Sequence, residues 1–270
     1  MNVISIAERT RNDWANVRKP AQVEVDDLSL AVPALDPLRV ELGYGLLPML
    51  AAPAGESIGD HYRRLRRDLA GEMGVVAPRL RLADDMKLSA NAYVIRIKEI
   101  VAARGMLSPG DILLVDPNGE PIALPGKRVH EPVFDLPAVW AESYLLAEAR
   151  ARGYRAAGCA AVLTAHISEV LKDHFADLLN YADVKKLLGD LPVGYRGLAA
   201  ELTPARISLC GIRRVLANLL AERISVRDLP AILEGIAEGL DETAAPERLT
   251  VFARARLWRQ IENPPGAQLP

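Results

Sequence analysis

"LRVELGYG", residues 38–45, sets the opening of the fold. Leu38, Val40 and Leu42 alternate with Arg39 and Glu41, the period-two pattern of a strand with one apolar face, and Gly43 and Gly45 break it. Downstream the period changes. Ile58, Tyr62, Leu65, Leu69 and Met73 fall on one face of a helix that starts near residue 58. Ser57 and Asp60 have capping-box spacing at its start, and Gly74 is placed to stop it. RLRL (79–82), AYVIRIK (92–98) and the apolar DILLV (111–115) read as further strands, the last closed by the turn Asp116-Pro117-Asn118-Gly119.

A second set of short elements follows, with a helix expected over 141–152 and a strongly apolar one over 160–179. Beyond that the chain turns all-helical. One helix is expected over 181–191, a second is marked by Leu209, Ile212, Val215, Leu216, Leu219 and Leu220, and a third by Leu229, Ile232, Leu233, Ile236 and Leu240. Ser225 and Asp228 repeat the capping-box spacing, and Pro230 fits only in the first turn of the third helix. A last helix is expected over 246–262. Residues 1–36, with Pro20 and Pro33, read as a linker or N-terminal arm, partly helical around Ile4–Trp14. The order is mixed α/β, then all-α, with a break near residue 180.

Composition narrows the function. Half of the 270 residues are hydrophobic and a quarter charged, and the net charge of −2 gives no global positive field for nucleic acid. Cys159 and Cys210 have neither metal nor disulfide spacing, which points to a reducing compartment. No apolar run approaches the ~20 residues that span a bilayer, and the first residues carry no signal-peptide core, so this stretch is expected to be soluble, whether alone or as a piece of a larger membrane protein.

The usual marks of chemistry are weak. His166 and His174 lie eight apart on one helix with no third ligand beside them. LPGKRV (124–129) lacks the phosphate-loop frame, and Ser208 in SLCG (208–211) reads as a helix cap. The arginines of YRRLRR (62–67) sit on the polar face of an amphipathic helix. No catalytic residue, metal or cofactor is expected. What stands out is HEPVFDLPAVW (130–140), which places one of three Phe and one of three Trp within seven residues. Pro132 and Pro137 resist regular structure and predict a short, stiff, extended piece between them. Phe134 and Trp140 either fill the core of a small module or present an aromatic anchor to a partner.

LRVELGYGLLP (38–48), the strands ending in RIK (96–98), LPGKRVHEPVFDLPAVW (124–140) and LANLLAERISVRDLPAILEGIAE (216–238) together resemble the cytosolic domain of the FlhA-type export-gate family of flagellar and virulence type III secretion. The likeness runs from about Leu38 to the end of the sequence, and 85–98 and 179–191 lean to the flagellar branch. It implies an α+β multidomain architecture. Residues 1–36 are then the linker, 37–109 plus 159–178 an α/β subdomain 1, and 110–158 an inserted RRM-like (ferredoxin-like) subdomain 2. Residues 179–258 form an all-α subdomain 3, and 259–270 the remnant of a fourth. The family's N-terminal membrane helices and most of that fourth subdomain lie outside this sequence.

The resemblance further implies a docking platform, not an enzyme, on the cytoplasmic side of the bacterial inner membrane. It would bind export chaperones carrying late flagellar substrates in a groove between subdomains 1 and 2, meet other export-apparatus proteins, and form a nine-membered ring in the full-length protein. Phe134 corresponds to the family's central groove aromatic, and Glu131 to an acidic residue, one methylene longer here. Ala165 replaces a threonine and so lacks its hydroxyl, while Leu113, Val115 and Pro117 align with apolar groove residues. Glu131 would then be a rim charge or cap a partner's donor. A virulence homologue with the same role is the near alternative. An RRM-like RNA-binding protein and a hydrolase using Cys210 or Ser208 are the distant ones.

Overall fold

The computed structural model describes residues 35–51 and 57–262. The expected arm, with its helix around Ile4–Trp14, and the last eight residues lie outside them. Strand β1 (Leu38–Leu42) leads through a 3-10 segment (Tyr44–Ala51) towards helix α1 (Ile58–Met73), then β2 (Leu80–Asp84), β3 (Ala92–Ile97) and β4 (Ile100–Met106). These strands form one sheet in the order β2-β1-β3-β4. β1 and β2 are parallel, with α1 between them in the chain, and the other pairs are antiparallel. The Ser57 hydroxyl accepts the Asp60 amide at 3.2 Å, and Gly74, at φ +77°, ends α1 in the left-handed conformation. Leu38, Val40, Tyr93, Ile95, Ile58 and Leu69 are all sealed between this sheet and its helices.

The second sheet takes strands β5 (Asp111–Val115), β6 (Lys127–His130), β7 (Pro137–Glu142) and β8 (Arg155–Gly158), with a short helix α2 (Leu146–Ala151) before β8. Its order, β6-β7-β5-β8, with every neighbour antiparallel, is the pairing of a ferredoxin-like sheet. It departs from that plan in one place. No helix crosses between β5 and β6; the irregular 116–126 segment does, and its Ile122 plugs a small core with Leu114, Val139, Ala141, Leu145 and Ala149. On the opposite face Leu113, Ala138 and Trp140 join the main core.

Helix α3 (Cys159–Leu178) starts where β8 ends and ties the parts together, meeting α1, both β5 and β8, and α6. A helical layer follows: α4 (Tyr181–Gly189), α5 (Val193–Leu202), α6 (Leu209–Ala221), α7 (Leu229–Gly239), α8 (Pro246–Arg256) and α9 (Trp258–Glu262). Asn180 and Asp183 form a reciprocal capping box on α4. Close approach of α7 and α8 depends on Gly235, where a Cβ would sit 2.7 Å from the Ala253 Cα. Among the described residues no helix is long and apolar enough to cross a membrane.

The structure differs from the sequence reading in several places. β7 runs to Glu142, so the expected 141–152 helix shrinks to a 3-10 turn (Ser143–Leu145) and α2. The cap of α7 is Asp228, whose carboxylate accepts the Ala231 amide at 3.2 Å, not Ser225. The expected 246–262 helix breaks at Leu257 into α8 and α9. β4 and α5 were not expected at all. The piece between Pro132 and Pro137 is a turn rather than an extended rod, for a reason that belongs to the site.

Candidate functional site

The stretch 130–140 is the tip and return strand of a hairpin. β6 and β7 pair Lys127 with Trp140, Val129 with Ala138 and His130 with Pro137. Gly126 leads into β6 at φ +152°, and a Cβ there would lie 2.3 Å from the Trp140 carbonyl oxygen, so the approach needs glycine. Their places in the hairpin separate the two aromatics, Trp140 within β7 and Phe134 in the turn before it. Trp140 faces the main core and is buried, while Phe134, at the tip, is 70% exposed.

The tip is organised by Glu131. Its backbone N–H donates to the Leu136 carbonyl at 2.9 Å, closing the loop. Its carboxylate folds inward, with Oε2 accepting the Val133 amide at 2.8 Å and Oε1 accepting the Phe134 amide. Pro132 sits one residue after this acidic side chain, the arrangement that suits a turn. Asp135 then takes φ +57°, a left-handed conformation that Asp tolerates better than most residues. The Asp135 carbonyl lies 2.9 Å from His130 Nδ1; a carbonyl only accepts, so that nitrogen carries the proton. Glu131 is 8% exposed, which makes it a buried carboxylate rather than a rim charge.

Beside this tip lies a cleft of about 460 Å³ between the two sheets. One wall is the end of β4 and the residues after it, from Arg104 to Ser108; the other is the hairpin, with Lys127, Val129, Glu131, Val133 and Asp135. Leu113 and Trp140 line it from the second sheet. Phe134 stands between two lining residues, and Met106, 59% exposed, lines the opposite wall. Behind the cleft, the Tyr93 hydroxyl and His166 Nδ1 are 2.7 Å apart and buried. A Cβ at Gly105 would fall 2.3 Å from that hydroxyl, so glycine lets β4 lie against the ring. Burial pushes the Tyr93 phenol well above its ordinary value, and the Glu131 charge adds to the rise. Burial also holds the His166 imidazole down, with Glu131 pulling it the other way. The Glu131 carboxylate on the second sheet is thus felt by two groups on the first sheet and α3.

The candidate residues therefore divide. Glu131 and Leu113 line the cleft, and Phe134 lies on the hairpin tip between the lining residues Val133 and Asp135 without itself lining it. Val115 packs half-buried against the main core, Pro117 is exposed, and Ala165 is exposed on α3; these three are not among the cleft-lining residues. The hydroxyl of neighbouring Thr164 is buried and donates to the Ala160 carbonyl at 2.6 Å. Met106, Gly105 and Arg104 were missed because β4 was; an exposed methionine, common on adaptable binding surfaces, is the signal that could have found the first.

The other chemical candidates resolve into structure. The Ser208 hydroxyl accepts the Gly211 amide at 3.1 Å as the cap of α6. Burial pushes the Cys159 thiol up to about 11. In the α1 cluster, Arg63 pairs with Asp60 at 2.7 Å and Arg66 donates to the Ala77 carbonyl at 2.9 Å. Among the described residues no three His, Cys, Asp or Glu side chains gather as metal ligands.

Comparison with known proteins adds to this geometry. A model of the FHIPEP family matches residues 4–267. Two flagellar biosynthesis proteins FlhA are similar to the chain: that of Caulobacter vibrioides is 42% identical over 258 residues, and that of Bacillus subtilis 35% over 245. The matches cover 91% and 89% of this chain but 37% and 36% of those proteins, so the chain spans little more than a third of their length. Among solved structures, the CdsV protein of Chlamydia pneumoniae superposes with a TM-score of 0.75 at 22% identity, covering 87% of this chain and 69% of that one. The nonameric SctV-C of EPEC gives 0.64 at 16% identity, covering 85% and 67%. At these identities the likeness concerns the fold.

Proposed function

This chain belongs to the FHIPEP family, and on that premise we propose that it is a cytosolic docking platform of a flagellar type III protein export apparatus. Export chaperones loaded with late substrates bind in the cleft between the two sheets and are passed to the membrane export gate. The first sheet with α1 and α3 is subdomain 1, the 110–158 module is the inserted subdomain 2, and 179–258 is subdomain 3, which lies at the ring contact of a nine-membered assembly. The whole protein sits in the bacterial inner membrane, with this portion on the cytoplasmic side.

The observation that carries the reading is the exposure of Phe134. A ring 70% open to water on the hairpin tip beside the cleft, in a protein that buries Trp140 six residues later, suits an apolar anchor for a partner. Met106, 59% exposed, lines the cleft beside the tip and adds a second adaptable apolar side chain. RNA binding of the RRM kind uses rings displayed on the sheet face, and Trp140, the indole of this sheet, is buried. The test is calorimetric titration of candidate export chaperone–substrate complexes against the chain and its Phe134→Ala variant. Loss of a central aromatic anchor costs about 2 kcal/mol or more, roughly thirtyfold in affinity. Equal affinities for the two chains would refute the docking assignment.

A further inference from the structure

We propose that Glu131 is a positioning residue: its carboxylate clamps the 132–134 turn so that Phe134 is held out at the cleft lip, and does not itself touch the docking partner. The proposal rests on the docking reading above for what Phe134 meets, but the clamp is a property of the free chain.

Three observations support it. Both carboxylate oxygens face inward onto the amides of Val133 and Phe134, and the residue is 8% exposed, so a partner seated in the cleft meets little of it. Backbone donors to an ionised acceptor make strong, directional bonds, so this one side chain fixes two successive peptide groups, including the one that sets where the Phe134 Cα points. The following residue, Asp135, takes φ +57°, a left-handed conformation open to Asp, which turns the chain back so that the Glu131 N–H meets the Leu136 carbonyl at 2.9 Å and the clamped turn is closed. Without the clamp, a largely uncovered ring has little else to fix its position relative to the cleft. Pre-ordering the anchor lowers the entropy lost when a partner arrives. A rim carboxylate would instead act directly on the partner's charges.

The roles separate in a double-mutant cycle read together with amide exchange. In the free chain, Glu131→Ala should speed hydrogen exchange at the Val133 and Phe134 amides by about tenfold or more, the loss expected of a charge-assisted bond. The Val139 and Trp140 amides of β7 should stay protected, showing that the hairpin is intact. Glu131→Gln, whose amide keeps one acceptor and turns a donor towards the second N–H, should loosen the same two amides but less. Against an export chaperone loaded with its substrate, Glu131→Ala should weaken binding in the wild-type background and add nothing in the Phe134→Ala background. Equal losses in both backgrounds, or unchanged exchange at 133 and 134, would overturn the clamp. If no chaperone binds the wild-type chain, the docking reading fails, and the exchange measurement still decides whether Glu131 holds the turn.

Discussion

Removing each of the two aromatics in turn separates a surface anchor from a core residue. Trp140 is 5% exposed and lies against Leu113 and Ala138 on the face of the second sheet that joins the main core. Trp140→Ala leaves a cavity and should cost about 3–5 kcal/mol. For Phe134, less than a third of the residue is covered. Fully burying a phenylalanine is worth about 1.5–3 kcal/mol, so Phe134→Ala should cost at most about 1 kcal/mol. In a domain of this size each kcal/mol moves the melting temperature by about 2–4 °C. Trp140→Ala should therefore melt about 6–20 °C below the wild type and Phe134→Ala within about 4 °C of it. Urea denaturation gives the free energies and scanning calorimetry the temperatures, with the chaperone titration run on the same samples. The expected pattern is crossed: Phe134→Ala stable but defective in docking, Trp140→Ala destabilised. A Phe134→Ala variant as unstable as Trp140→Ala would mean that the ring is structural, and the docking argument would go with it.

Three further outcomes concern the buried histidine behind the cleft and the helical layer. The buried His166 imidazole is held below its ordinary value of 6.5, so on acidification the unfolded chain takes up the proton first. Stability should be unaffected by this group well above pH 6.5 and fall as the pH drops through the window beneath it; the urea midpoint of a His166→Gln variant should lose that part of the slope. Gly235→Ala should destabilise by about 1–2 kcal/mol in thermal melts despite the better helix propensity of alanine, because the new Cβ meets the α8 backbone. Gly197→Ala in α5, where a Cβ meets nothing within 4 Å, should stabilise by about 0.5–1 kcal/mol.

Elements whose signals are local could be read from the sequence. Ser57 and Gly74 bracket α1 as their chemistry predicts, and DILLV coincides with β5 because a short apolar run bounded by turn residues has few alternatives. β4 escaped because an edge strand needs no apolar alternation: Ile100, Val101 and Met106 are exposed, and Arg104 and Gly105 lie between them. The 132–134 turn was legible and misread. Glu131-Pro132 followed by Asp135 is turn chemistry, but the two prolines drew the reading towards stiffness, and a side chain accepting backbone amides two and three residues ahead is not a periodic signal. The cleft itself could not be read, since it forms between β4 and a hairpin more than twenty residues later in the chain.

Gly158 is both the last residue of β8 and the N-cap of α3, so the second sheet passes into the long helix with no intervening loop. The same helix reaches α6, where Arg223 beyond its end grips Glu169 and Asp173. A load applied at the hairpin tip has no slack segment in which to dissipate along this path. A displacement there passes through paired strands into a twenty-residue rod, where it can be taken up as a tilt or a slide of the whole helix rather than as local give.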